Sequence, residues 1–333
     1  RRRVAALLDV PEDRLARVDV REVSRMGRVS SFTALSMHST DAFARVLDVS
    51  LAEPYAGLGK GIAFGVAHVL DDNTETLFRT TGLSHITVFS GANVALILAL
   101  VWFLSRHFPF GVRIVISFLS LLFVIAGVGF TPPTLRAGIM GALYILARAV
   151  GKSTKVFDAL CFTVLCMLMY EPLLLLFDIS FQLSVLAVIA LVLFSQPFEM
   201  YFGRYMPSYI AELCATACAI TLVVSPWIAY IFGTFSVSSF VTNICVAPLI
   251  PIALVLTLAT SFVGITVPYL AWVAALPAEI VLRGIYDVAY FGAKIPYSSI
   301  QLHQFHGAFV ALWYGALSVL VLRHRQSSEI VTE

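Results

Sequence analysis

Charged side chains are scarce in this chain of 333 residues: Asp, Glu, Lys and Arg make up 13%, and hydrophobic residues make up 59%. A soluble globular domain carries roughly 25% charged residues, so this deficit excludes an ordinary soluble domain. The small net charge of +2 does not by itself indicate a nucleic-acid partner. The composition therefore predicts an integral membrane protein.

Cysteine and histidine are also few, with five and seven residues. The cysteines all fall inside apolar segments, where a thiol behaves as a small hydrophobic group. No set of thiols and imidazoles has the spacing of a structural metal site, and His303 with His306 lacks a nearby third ligand. We therefore expect no bound metal and no cofactor.

A complete nucleotide-binding motif is missing as well. The stretch LARAVGKST has Leu146 at the position where a phosphate-binding loop requires glycine. We expect any nucleotide-driven work to be done by a partner.

Apolar windows dominate the chain from residue 86 to residue 322 and predict an all-α, polytopic helical bundle. The shorter windows leave re-entrant or tilted segments as alternatives to full spans. We place nine spans, at Ile86–Leu104, Val112–Phe130, Leu135–Val150, Val156–Tyr170, Leu173–Phe194, Ile210–Phe232, Phe240–Phe262, Tyr269–Ile285 and Ala308–Leu322.

The residues before these spans have a different composition. The first fifty interleave arginines with acids and hold no window long enough to cross a membrane; a start of RRR without Met favours a fragment of a larger protein. Gly57, Gly61 and Gly65 follow at a spacing of four, which permits close helix packing and a homodimer. We predict a soluble N-terminal segment at 1–50, an amphipathic or interfacial helical region at the outer surface at 51–80, a transmembrane domain at 81–325 and a tail at 326–333.

The cations are unevenly distributed among the connections. If residue 1 lies outside, the inner loops hold most of them, which agrees with the preference of Lys and Arg for the cytoplasmic side. We therefore predict an external N-terminal segment and a cytoplasmic C-terminus. The cations concerned are Arg106, Arg113, Arg148, Lys152, Lys155, Arg323 and Arg325.

Polar groups inside the apolar region need an explanation, because a charge at the centre of a span costs about 2.5 to 3.5 kcal/mol. Ser84 and His85 precede the first span, and Ser90 and Asn93 lie in its opening turns. These residues suit either a polar helix entry or a face that lines a cavity, with the helix broken near Ser90. Asn93 favours the cavity.

Arg136 follows Pro132 and Pro133, which begin a helix readily. A cation near a helix N-terminus opposes the macrodipole, so this arginine does not stabilise its own helix. We expect it to face an anion. Asp178, as an ion-pair partner, and a phosphate group of a ligand are the two alternatives.

Two further places put polar residues inside the apolar region. Asp178 and Gln182 are four residues apart and so share one helix face. Asn243 precedes Pro248 and Pro251, and these prolines remove backbone hydrogen bonds and predict a kink.

The stretches GLSHITVFSGANVALI, PPTLRAGIM, EPLLLLFDISFQLSVLAV and SPWIAYIFGTFSVSSFVTNICVAPLIP carry a resemblance. In order and spacing, over roughly residues 45–265, they resemble the competence domain of the ComEC/Rec2 family. The resemblance implies an inner-membrane channel that passes single-stranded DNA into the cytoplasm during natural transformation. It also implies a periplasmic DNA receptor, a cytoplasmic uptake motor or helicase, and contact with membrane lipids.

The resemblance extends to flanking domains and to individual residues. Residues 1–50 would be the remnant of an OB-like periplasmic domain. The chain stops soon after Arg325 without an HxHxDH-type metal motif, so we expect no metallo-β-lactamase-like nuclease and no catalytic residue. Asn93 stands where the family usually has histidine, and Ser180 where it has glycine. Hydrogen bonding, rather than proton or metal chemistry, is therefore expected at position 93.

The expected path for the strand is lined by polar side chains. Asp178 would repel phosphate if it faced the strand, so we assign it a structural role, paired with Arg136 or His85. The predicted lining residues are Ser84, His85, Ser90, Asn93, Arg136, Gln182 and Asn243, and the predicted helix kinks are at Pro132, Pro133, Pro248 and Pro251.

Two other function classes suit the same residues. A secondary transporter or flippase for a smaller anionic solute also uses broken helices and an Arg/Asp pair at mid-membrane. An intramembrane enzyme with His85 or Asp178 as acid or base ranks last, because no nucleophile or metal set accompanies them.

Overall fold

The computed structural model describes residues 31–65, 70–87, 89–152, 155–295, 298–301 and 307–330. Two short strands in these ranges, β1 Thr234–Ser236 and β2 Ser299–Gln301, pair antiparallel. The α-helices are α1 Ser31–Ser50, α2 Tyr55–Phe64, α3 Asp72–Thr80, α4 Gly91–Leu104, α5 Phe110–Val128, α6 Pro132–Ala149, α7 Val156–Tyr170, α8 Leu174–Phe177, α9 Ile179–Phe202, α10 Ser208–Phe232, α11 Ser239–Val246, α12 Leu249–Thr266, α13 Ala271–Ala293 and α14 Gly307–Ile330.

Five segments in the described ranges are long and apolar enough to cross a membrane, namely α5, α9, α10, α12 and α13 with the turn before it. The apolar parts of α4, α7 and α14 are shorter. The prediction of an all-α polytopic membrane protein is confirmed. Each of the nine predicted windows overlaps a helix, although the structure contains no membrane and nine crossings remain a prediction.

Helix α2 lies at the centre of the larger hydrophobic core. It contacts α1, α12 and α13, and every residue from Ala56 to Phe64 is buried. A helix that is apolar on all sides is expected in such a position. The part of the predicted amphipathic or interfacial region 51–80 that forms α2 is therefore buried within the bundle. The glycine stripe faces the chain's own residues: a Cβ on Gly61 would lie 2.7 Å from the Thr87 carbonyl oxygen. The stripe therefore gives no support to a homodimer.

Lys60 is the one charged residue of α2, and it is buried. Its ammonium group forms an ion pair with Asp48 near the end of α1, and Glu53 Oε1 lies 3.8 Å away. A buried charge is tolerated when it is paired. The ion pair joins α2 to α1.

Helix α1 belongs to the bundle. It packs against α5 and α12, and Leu47 is fully buried. The second part of the predicted soluble segment 1–50 is therefore attached to the membrane domain, because α1 presents an apolar face to it. Residues 1–30, and with them most of that prediction, lie outside the described residues, as do His303 and His306.

A smaller hydrophobic cluster joins α9, α10 and α14 through Ala190, Val223 and Leu317. Pro226 lies inside α10 and, because it lacks an N–H, leaves the carbonyl of Leu222 without its helical donor. Trp313 Nε1 donates to this oxygen over 3.2 Å, and the Tyr314 hydroxyl donates to Val223 O over 2.8 Å. Both bonds dock α14 onto the cluster.

Two broken helices are present in the part of the chain that the structure describes. The break predicted after Asn243 separates α11 from α12 at Ala247 and Pro248, and a second break, which the continuous window Leu173–Phe194 did not predict, separates α8 from α9 at Asp178. The kinks predicted at Pro132, Pro133 and Pro251 are absent, because these prolines lie at helix starts. Pro132 and Pro133 begin α6, and Pro251 lies in the first turn of α12, where a missing N–H removes no helical hydrogen bond.

Candidate polar path and arginine site

An irregular stretch of backbone connects α3 to α4, and we call it the entry segment (residues 81–87, 89 and 90). At its start, Thr242 Oγ1 of α11 donates to the Thr81 carbonyl over 2.9 Å. Gly82 has φ of 72°, and a Cβ there would lie 2.4 Å from Ser239 Oγ. Glycine is therefore required at 82 for both its backbone conformation and the close approach of α11.

The far end of the entry segment begins α4. Ser90 is the N-cap, and its hydroxyl accepts a hydrogen bond from the Asn93 N–H over 3.3 Å. Asn93 is buried, and its Nδ2 donates to the Ile62 carbonyl over 2.9 Å. Ile62 lies in the last turn of α2, where carbonyls lack intrahelical donors. Asn93 therefore ties α4 to the end of α2.

Arg136 lies beside this end of the entry segment. Its Nη2 is 3.4 Å from the position that a Cβ on Gly91 would occupy. The residue is only 5% exposed, and Nη1 is buried without a hydrogen-bond partner. In the described ranges, the guanidinium forms no ion pair with Asp178 or with any other carboxylate. Two anions were expected to face Arg136 as alternatives, Asp178 and a ligand phosphate. Asp178 does not pair with it.

Asp178 and Gln182 instead stabilise the break between α8 and α9. Asp178 Oδ1 accepts the Phe181 N–H over 2.6 Å and so caps α9. Gln182 Nε2 donates to the carbonyls of Leu175 and Leu176. The amide oxygen of Gln182 also accepts from Trp227 Nε1 over 3.1 Å.

These contacts correct two expectations. Asp178 has the structural role assigned to it, but through a helix cap rather than an ion pair with Arg136 or His85. Gln182, expected to line the path, uses both its amide nitrogen and its amide oxygen on the protein. The break between α8 and α9 leaves the carbonyls of Leu175 and Leu176 without helical donors, and the Gln182 amide supplies the donor. An amide one turn after Asp178 is therefore needed.

Asn243 lies on α11, next to the start of the entry segment. Its Nδ2 donates to Thr221 Oγ1 over 3.3 Å and to Ser239 Oγ over 3.1 Å. Its Oδ1 is buried and has no partner. An unsatisfied acceptor in a buried position is costly, and so marks a place where water or a ligand donor would be favourable.

Ser84 and His85 lie in the exposed turn of the entry segment. His85 Nδ1 is 3.2 Å from the Gly82 carbonyl. Within the part of the chain that the structure describes, no three His, Cys, Asp or Glu side chains are placed to hold a metal.

The predicted residues therefore divide into four groups, of which the first is Ser84 and His85 in the exposed turn. Ser90, Asn93 and Arg136 come together where α4 and α6 begin, and Asn243 lies at the other end of the entry segment. Asp178 and Gln182 form a separate helix junction. Sequence reasoning missed three partners of these residues, Thr221, Trp227 and the Ile62 carbonyl, because each lies 22 or more residues away in the chain and gives no local signal.

Three arginines meet at one end of the bundle. The guanidinium of Arg113 lies 4.0 Å from the ring centroid of Trp102, and that of Arg148 lies 4.8 Å from it. Arg106 lies 4.6 Å from the ring centroid of Phe103. The loops before α5 and after α6 are thus on the same side, as the charge pattern predicts.

The fold and these contacts define a polytopic all-α membrane protein in which irregular, polar backbone packs against helices of the bundle. Residues 62–327 match the model of a family described as Competence protein, and the chain belongs to that family. The resemblance found in the sequence is thereby confirmed.

One similar protein is ComE operon protein 3 of Bacillus subtilis (strain 168), which is 25% identical over 195 residues. The alignment covers 58% of this chain and 24% of that protein, so the chain matches about a quarter of its relative's length. No solved structure matches the chain.

Proposed function

We propose that the protein takes part in DNA uptake during competence, as a channel that passes single-stranded DNA across the bacterial inner membrane. The entry segment carries this proposal. It is irregular and polar, it belongs to a bundle of membrane-length helices, and unsatisfied groups of Asn243 and Arg136 lie at its two ends. Non-helical backbone at membrane depth is found where protein buries it or water reaches it.

The chemistry of the entry segment suits a single strand. DNA carries one negative charge per phosphate, and its bases carry amino groups that donate hydrogen bonds. Arg136 offers a cation at one end of the segment, and Asn243 Oδ1 offers an acceptor at the other. Asp178, a carboxylate that would repel phosphate, is engaged in capping α9.

The three arginines near Trp102 support an orientation with that end in the cytoplasm. The N-terminal segment would then lie on the periplasmic side. A cytoplasmic motor or helicase would pull the strand, and a periplasmic receptor would deliver it. No nuclease activity is proposed for this chain.

Transport of a small anionic solute is the second candidate. The near-complete burial of Arg136 favours it, because a buried cation is more easily matched by one small anion than by an extended polymer. Uptake measurements separate the two.

The test is transformation frequency together with labelled-DNA uptake in a deletion strain of the source organism. The strain is complemented with the unmutated gene, with Asn243→Ala, or with Cys245→Ala. Cys245 is the matched control because it lies exposed on the same helix.

We expect labelled DNA to remain in a DNase-protected periplasmic state without the gene and with Asn243→Ala. It should reach the cytoplasm with the unmutated gene and with Cys245→Ala, at equal protein levels in the membrane. Normal transformation of the deletion strain would refute the proposal and direct the work to solute transport.

A further inference from the structure

We propose that Arg136 and the first turn of α4 form a binding site for a single phosphodiester group. This deepens the proposed function, on which the assignment of that phosphate to DNA rests. The anion site itself depends only on the geometry around Arg136.

The site has an excess of positive charge. Arg136 lies near the N-terminus of α6 and beside Gly91, the first residue of α4. Each helix N-terminus carries about half a positive charge. The guanidinium therefore lies close to two positive helix ends, and its Nη1 is buried without an acceptor.

The chain does not supply the missing negative charge from its described residues. Asp178 caps α9 through the Phe181 N–H. Asp48 and Glu53 are engaged with Lys60. A buried, unpaired cation costs several kcal/mol of folding free energy. Binding of an external anion beside Arg136 would remove this cost and stabilise the fold.

The donors are arranged for a phosphate oxygen. Residue 91 is glycine, so no side chain stands between Arg136 Nη2 and the start of α4. The first amides of a helix have no intrahelical acceptor and point outward from its end, and phosphate binds readily at such ends. Guanidinium and main-chain N–H groups together can contact several oxygens of one group. A singly charged diester balances one arginine without leaving excess negative charge.

This proposal predicts the sign of a stability change. Arg136→Met removes the uncompensated charge and keeps similar volume, and such replacements are often neutral or stabilising. Arg113→Met is the matched control, because Arg113 also lies in the first turns of a helix but has partners for its Nη2 and its guanidinium face, although its Nε is buried without an acceptor in the described ranges. It donates to the Trp102 carbonyl over 3.2 Å and stacks on the indole ring.

The experiment is thermal unfolding of the full chain, purified in phosphate-free maltoside detergent. Inorganic phosphate, dimethyl phosphate and chloride are compared at equal ionic strength. For the unmutated protein we expect dimethyl phosphate to raise Tm by about 2 to 5 °C over chloride, in a saturable manner. Arg136→Met should match or exceed the unmutated protein in chloride and lose this response. Arg113→Met should have a lower Tm and keep the response.

Two results would overturn the proposal. One is that dimethyl phosphate fails to raise the Tm of the unmutated protein, or still raises the Tm of Arg136→Met. The other is a response to inorganic phosphate alone, which would exclude the diester. Neither result bears on whether deletion of the gene stops DNA uptake. A positive phosphate response in a protein whose deletion leaves transformation normal would retain the site and reject the proposed function.

Discussion

Asn93 gives the sharpest test of how the entry segment is built. It is 3% exposed, its Nδ2 donates to Ile62 O, and its Oδ1 accepts the Ser90 hydroxyl over 3.2 Å. Asn93→Leu keeps the branched shape and the number of side-chain heavy atoms but removes both bonds. A neutral histidine has one donor nitrogen and one acceptor nitrogen, so Asn93→His can replace both.

The size of the effect follows from these contacts. A buried group left unsatisfied costs about 1 to 3 kcal/mol, while hydrogen bonds between membrane helices average about 0.6 and reach about 1.7 kcal/mol. The Ile62 carbonyl lies in the last turn of a buried helix. We therefore expect Asn93→Leu to lower the free energy of unfolding by about 1 to 2 kcal/mol, and Asn93→His by less than about 0.5 kcal/mol.

The assay is reversible unfolding in mixed micelles, followed by tryptophan fluorescence, with DNA uptake measured in parallel. If Asn93→Leu is as stable as the unmutated protein, the bond to Ile62 does not hold α4 to α2 and the reasoning fails. If stability falls but uptake is unchanged, Asn93 supports the bundle without lining the path.

Three further predictions concern the helix junctions. Asp178→Ala should cost about 1 kcal/mol of unfolding free energy by removing the α9 cap, whereas Asp178→Asn should be tolerated; both are measured in the same micelle assay. Gly82→Ala should cost about 2 to 4 kcal/mol through its left-handed backbone and the clash with α11, which would appear as a lower Tm. Trp313→Phe should cost about 0.6 to 1.7 kcal/mol of unfolding free energy. The cost should be smaller in a Pro226→Ala background, because the new alanine N–H can donate to Leu222 O; a double-mutant cycle measures the difference.

Each of these predictions has a control and a contradictory outcome. Equal loss in Asp178→Ala and Asp178→Asn would restore the ion-pair hypothesis, since only a pair requires the charge. Gly111→Ala, where a Cβ would meet nothing within 4 Å, is the control for Gly82→Ala. If Trp313→Phe costs the same with proline and with alanine at position 226, the Leu222 carbonyl does not hold α14 in place.

Some of the site was predictable because its signals are local. A helix cap involves residues three apart, so the aspartate before FQLS could be expected to have a structural role, as Asp178 does. The partners of Gln182 were not predictable, because Trp227 is 45 residues away. Arg136 was expected to face an anion on the basis of its own helix alone, but no pattern could tell whether Asp178 lies within reach.

The membrane class, the all-α fold, the family and most helix positions could be predicted from the order of the amino acids alone; the window Val156–Tyr170 coincides with α7. These features depend on hydropathy and on contacts between residues close together in the chain, and both can be seen in the amino-acid sequence. The packing of the whole bundle was needed to see that α2 is a buried central helix, that the glycine stripe faces inward and that Arg136 has no carboxylate partner among the described residues. Those facts depend on distances between helices far apart in sequence, and such distances are fixed only when the whole bundle packs.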